Sequence, residues 1–280
     1  MPIHDQGYRH YTGGRALHGR GWWVIAHHGV LDRLRERRFL ALLLFAWSLF
    51  VFRAVELYIG TTVIRGAFFF APSEETFRTF LEQQRLFVFF ITIYAGAGLI
   101  ATDRQSNALQ IYLSKPITRN NYIGGKLLTL ALFLVAVTWF PAMLLLVLQI
   151  LFSGSLDFVI SHPRLVPAIT LASMLQVALA SMMMLALSSL SRSRRFAAMM
   201  YAGIVIFAGV LDGALERVSG NPLWVLISPQ NTLLLLIDSI FGVPPDDTAV
   251  LGLAVAAFAI LLAACLFTLE RRVHAVDVVA

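Results

Sequence analysis

Six apolar runs, separated by polar stretches rich in arginine, set the terms on which this chain can fold. They are Arg38–Ile59, Leu86–Ala101, Leu127–Phe152, Leu165–Leu190, Phe196–Leu211 and Thr248–Leu269. A hydrocarbon core about 30 Å thick takes about 20 helical residues to cross. Four runs meet that length, and the second and fifth reach it by extending into their flanks. A water-soluble domain could not hide so much apolar side chain. The chain is 58% hydrophobic and only 14% charged, with a mean hydropathy of +0.75, so the bilayer is the solvent. The expectation is an all-α polytopic membrane protein with six transmembrane helices in a single transmembrane domain over residues 1–280. The N-terminal stretch MPIHDQGYRHYTGG is polar and aromatic and does not read as a signal peptide. The single Cys265 excludes an internal disulfide and reads as a small packing residue.

Charge fixes the expected orientation. Seven arginines lie in residues 1–38 and four basic residues in the island Thr102–Lys126. Three arginines lie in the link SRSRR and two in the tail 270–280. With six spans these four segments share one side, and the positive-inside bias makes that side the cytoplasm, with both termini there. The acidic residues lean the other way. The net charge of +6 therefore reflects topology and not a nucleic-acid footprint. A bacterial-type inner (cytoplasmic) membrane is the expected location.

The segments between the runs carry the rest of the information. Gly21–Arg38 reads as a helix lying along the inner membrane surface, with Trp23, Val30 and Leu34 near one face and His28, Asp32 and Arg35 on another. The island reads TDRQSNALQIYLSKPITRNNYIGGK, too long and too patterned for a simple turn. Within it Asn107–Ser114 forms a short helix exposing Ala108, Ile111 and Tyr112, stopped by Pro116. Thr118 caps the next helix, and Gly124-Gly125 permits a bend or a close approach. Pro141 removes one backbone hydrogen bond from the third span and kinks it. Outside, Ser73-Glu74-Glu75 reads as a helix start. The segment 212–247 holds two apolar pieces broken by Pro222, Pro229 and Pro244. They are too short to span, so they read as an outer re-entrant hairpin before the sixth span.

These residues resemble the membrane subunits of ABC exporters of the second type, which include drug, polysaccharide and sodium- or copper-related systems. The likeness is clearest in the island: Asp103-Arg104, Ala108-Leu109, Leu113-Ser114-Lys115-Pro116-Ile117-Thr118-Arg119 and Gly125-Lys126. Asn107 departs from it, since the family often has glycine there. The order of segments is similar too: an interface helix, a coupling helix between spans two and three, and an outer re-entrant pair before span six. The resemblance implies a dimer of membrane domains, a second identical copy being favoured over a related chain. It also implies a separate ATP-binding subunit that docks on Asn107, Ala108, Leu109, Ile111, Tyr112, Leu113, Pro116 and Arg119. ATP and magnesium would belong to that subunit, with no cofactor, metal or catalytic residue in this chain. In keeping with this, the sequence has no G-x-x-x-x-G-K-[ST] loop; Gly124-Gly125-Lys126 is followed by Leu127.

Other features carry competing readings. Arg53 and Glu56, one turn apart near the outer end of span one, form either a mutual pair or a gate. Gln176, Ser181 and Met182–Met184 either line a pathway or pack span four. His27 and His28 point about 100° apart on a helix and make a poor chelate. The stretch Asp212–Arg217 matches the start of a lipid phosphotransferase motif without its further acids. A self-contained channel or secondary transporter is the alternative function, and it would favour mid-bilayer charges and inverted repeats.

Overall fold

A computed structural model describes residues 21–63, 73–108, 118–154, 157–243, 245 and 248–273. Among these residues the structure is helical throughout. A first helix α1 (Gly21–Leu34) leads into α2 (Arg37–Tyr58), which ends in a π-turn. Next come α3 (Glu74–Ile91), prolonged by the π-turn Thr92–Gly96, and the short α4 (Ala101–Gln105). Then follow α5 (Arg119–Val137), α6 (Trp139–Ser153), α7 (Asp157–Ser161), α8 (Leu165–Leu190) and α9 (Arg194–Ser219). A 3₁₀ segment (Pro222–Ile227), α10 (Pro229–Ile240) and α11 (Thr248–Arg272) complete the order. Six stretches are long and apolar enough to cross a membrane: Arg37–Thr62, Glu74–Gln105, Arg119–Ser153, Leu165–Leu190, Arg194–Ser219 and Thr248–Arg272. The second and fifth extend into their flanks as their short apolar runs require.

Helix α8 is the hub. It carries no charged residue and is rich in Ala, Ser and Met, so neighbouring helices approach closely on several sides. Two apolar clusters stack along it. One gathers Phe39, Ile100, Leu130, Phe133 and Met184; the other gathers Phe77, Leu145, Ile169 and Leu236. By contrast α2, α9 and α11 expose broad apolar faces, including Leu44, Phe45, Phe52, Met199, Ile206 and Phe207. Such faces suit lipid or another membrane chain.

The predicted kink in the third span is present and has a partner. The helix breaks at Thr138, between α5 and α6. Pro141 has no N–H for the carbonyl of Val137, and its ring crowds that carbonyl. The fully buried Gln84 of α3 donates to it instead, Nε2 to O at 2.6 Å. In an apolar interior an unmet carbonyl costs about 1–3 kcal/mol, so Gln84 matches the defect that Pro141 creates.

At the other predicted helix starts, Ser73 and Thr76 form a capping box, and the Thr118 hydroxyl accepts from the Asn121 amide. The segment after α9 folds back on it. Gly220 reverses the chain in a left-handed turn, and the 3₁₀ segment runs down to Ser228, whose hydroxyl caps α10 by accepting from Asn231. Asn231 donates to Asp212 at 2.7 Å, so the hairpin tip lies beside the middle of α9 and not at its end. Helix α10 returns alongside α3, tied by Arg78 to Asp238 at 2.6 Å. This is the geometry of the expected hairpin; Pro244 lies outside the described residues.

Two readings are refined. Helix α1 is present, with Trp23 exposed and Val30 packed on the core, and it also has a helix partner. It runs beside and parallel to α5, with Gly21 against Asn121, Ile25 against Gly125 and Gly29 against Thr129. Ala26 is buried, whereas Trp23 and Leu34 are 49% and 37% exposed. The reason is close approach: two glycines let the backbones meet. The same contact settles Gly124-Gly125, where Gly125 serves packing and α5 runs on without a bend. The second is Asn107, treated below.

Replacing Gln84 with Leu should lower unfolding stability by about 1–3 kcal/mol, and the loss should shrink when Pro141→Ala restores an N–H to the Val137 carbonyl. A double-mutant cycle of unfolding in detergent micelles measures both.

Candidate functional site

The islands of polar sequence at one end of the bundle converge on a small frame. Its first part stitches the break after α3. The Ser188 hydroxyl of α8 accepts from the amides of Ile100 and Ala101 at 3.2 and 3.0 Å and donates to the carbonyl of Ala97 at 2.9 Å. Three backbone groups left over where one helix stops and α4 starts are thereby met. Beside it the Arg104 guanidinium donates to the Ser189 carbonyl, at the negative end of α8.

The second part joins α4 to α5. The Asp103 carboxylate accepts from the Tyr122 hydroxyl at 2.7 Å and pairs with the Lys126 ammonium at 2.7 Å. Both charged side chains are largely shielded, at 17% and 14% exposed. The acid-arginine and glycine-lysine elements of the island thus form one structure, with Asp103 gripping Lys126 and Arg104 gripping α8. Next to Lys126, Gly125 gives α1 its seat. A Cβ there would stand 2.7 Å from the Ile25 Cβ and 2.8 Å from the Trp22 carbonyl oxygen. The frame therefore binds α1, α4, α5 and α8 together.

The chain leaves this frame at Asn107, whose φ of +53° is left-handed. Asparagine tolerates that region better than other residues with a side chain, which explains why it can replace a glycine. The short helix predicted from Asn107 accordingly starts no earlier than Ala108. Leu109, Ile111, Tyr112, Leu113 and Pro116 lie outside the described residues. The chain re-enters at Thr118, and Arg119 faces Glu270 of α11 at 3.9 Å. Both ends of 107–118 are therefore anchored on spanning helices.

A further charged knot sits where α1 meets α2. Glu36 accepts from Arg33 at 2.7 Å and from the Tyr94 hydroxyl at 3.0 Å. Arg194 donates to the Tyr94 carbonyl at 2.8 Å and lies over its ring. Burial pushes the Glu36 carboxyl up, but Tyr94, Arg33 and Arg194 together outweigh it and hold it below its usual value.

The remaining candidates do not join the frame. Arg53 and Glu56 pair with each other at 2.7 Å. Gln176 is buried in the bundle interior, and neither polar atom of its side chain has a partner among the described residues. His27 and His28 are exposed, and no group of three metal-ligand residues occurs among the described residues. Asp212 is buried and bonded to Gly213 and Asn231, a hairpin anchor. Sequence reasoning missed Ser188, Ser189 and Glu36, because their partners lie far along the chain.

Comparison with protein families gives a match to the ABC-2 family transporter protein model over residues 23–272. The chain belongs to that family. No curated protein matches it. The matched region runs from α1 to the end of α11. An ABC-2 chain of this kind is the multi-pass transmembrane permease subunit of an ABC transporter, and the family implies an ATP-binding partner. That membership displaces the channel and secondary-transporter reading.

Gly125→Ala should separate α1 from α5, seen as faster hydrogen exchange along residues 21–34. Glu36 gives a pH dependence. Its lowered carboxyl stabilises the fold at pH values above the ordinary carboxylate range, and the contribution is lost as pH falls through the lowered value. Glu36→Gln should therefore show at neutral pH the faster exchange over 35–39 that the parent shows only in acid.

Proposed function

We propose that this ABC-2 permease is the moving membrane half of an exporter worked from the cytoplasm by a separate ATP-binding subunit. That subunit holds ATP and magnesium and docks on the segment 107–118 and on α1. Two permease chains, by default identical, form the path between them. The protein sits in the cytoplasmic membrane with both termini inside, as its arginine distribution favours.

One observation carries this reading. The segment that would receive the partner leaves the frame directly beside Asp103 and returns to it at Arg119. A push on it reaches α5 through Lys126, α8 through Arg104, and α1 through Gly125. Side chains that merely decorated a loop would pass on no displacement. Here the Asp103–Lys126 and Arg104–Ser189 bonds are charge-assisted, and the first is shielded, the kind that holds geometry under load. Arg53, Glu56 and Gln176 then serve span packing, the first two as a satisfied pair.

The test is co-expression with the ATP-binding subunit and reconstitution in liposomes. Tyr112→Asp with Leu113→Asp should abolish stable co-purification and transport-linked ATP hydrolysis. Asp103→Asn should leave the complex intact but cut coupled hydrolysis several-fold. Unchanged hydrolysis in both variants would place the dock elsewhere.

A further inference from the structure

Arg85 stands apart from the frame and, unlike Arg53 and Arg78, has no ion pair among the described residues. Arg85 lies on α3 between two charged belts. At one end Tyr94 is surrounded by Glu36 and Arg194; at the other stand Glu74, Glu75 and Arg78. Counting along the helix puts Arg85 roughly 13 Å from Tyr94 and roughly 16 Å from Glu74. It therefore sits between the two belts, one turn from Glu82 and directly before the second apolar run, where a charge short of partners is costly.

Its neighbours leave its donors largely unused, and Glu82 and Asp238 act on it only from beyond ion-pair distance. The guanidinium has one long hydrogen bond, 3.5 Å to the Asn231 carbonyl oxygen Oδ1, although it carries five N–H donors. Among the described residues no carboxylate lies within ion-pair distance of it, since Asp238 is taken by Arg78. Arg85 lines a cavity of about 1070 Å³ between α2, α3 and α9, with Glu82, Gln83 and Gln230 as its other strongly polar residues. The remaining wall is apolar: Leu49 and Phe52 from α2, Phe89 and Phe90 from α3, Val205 and Ile206 from α9.

We propose that this cavity binds a singly charged anionic amphiphile, its head on Arg85 and its hydrocarbon chain along the phenylalanine wall. A carboxylate or phosphodiester matches the guanidinium fork and supplies the acceptor oxygens that its unused donors lack. Gln83 and Gln230 offer amide donors to the same head. Glu82, one turn away and without an ion-pair partner among the described residues, opposes a second negative charge and so restricts the head to one. The hydrocarbon gains from the apolar wall as in other ligand cavities. The inference deepens the transport reading by naming the class of cargo.

The experiment uses the full chain in nanodiscs of phosphatidylcholine, without the ATP-binding subunit, so its outcome is independent of nucleotide coupling. The probes are an 11-dansylamino-undecanoate and its methyl ester, followed by dansyl fluorescence. The carboxylate should bind about tenfold more tightly than the ester, a difference of about 1.4 kcal/mol. Arg85→Gln should erase that preference while leaving ester binding unchanged, which also shows that the cavity is intact; Arg85→Lys should keep most of it. Replacing about a fifth of the lipid by phosphatidylglycerol distinguishes the sources. Weakened probe binding identifies a bilayer headgroup as the natural occupant, and unchanged binding identifies a free amphiphile. Equal affinity for acid and ester in the parent protein, or a preference that survives Arg85→Gln, overturns the proposal.

Discussion

The Asp103 carboxylate, shared between Lys126 and Tyr122, is the interaction on which this end of the bundle depends. Without it α4 would be a one-turn helix held to α8 but not to α5. With it, α4 becomes the bracket between spans two and three, and Arg104 extends the bracket to the end of span four. Isolated surface ion pairs contribute little. This one differs because both partners are shielded, a phenol hydroxyl supplies a second donor, and two helix ends are fixed by it.

The same demand, that no polar backbone group be left unmet in an apolar surrounding, organises the rest. Ser188 meets three groups where α3 gives way to α4. Gln84 meets the carbonyl that Pro141 frees. Asn231 and Asp212 hold the hairpin against α9. In each case a polar side chain inside an apolar helix has a structural cause. Arg85 lacks such a cause and, unlike Gln176, which is also short of partners among the described residues, carries a charge and lines a cavity, which is what marks it as a ligand group.

Much of this was legible in the sequence. Apolar length predicts six spans, and Ser73, Thr118 and Pro141 predict helix starts and the kink. These are local signals, read within one or two turns. The island's motifs were legible as a pattern but not as a mechanism, because Asp103 and Lys126 meet only once α4 turns back on α5. The partner of α1 was not legible for a related reason. Its contacts follow two glycines, Gly29 and Gly125, whose meaning appears only when the helices are side by side. Ser188, Ser189 and Gln84 look like ordinary small or polar residues of a membrane helix until their distant partners are known.

The central claim is that the frame moves as one body when the partner subunit changes state. Spin labels on His28 of α1 and Leu190 at the end of α8, measured by pulsed electron double resonance in the assembled transporter, test it most directly. The account predicts one unchanged His28–Leu190 distance with and without ATP, while the distance between the two copies' His28 positions shifts. A His28–Leu190 distance that changes with nucleotide would contradict it.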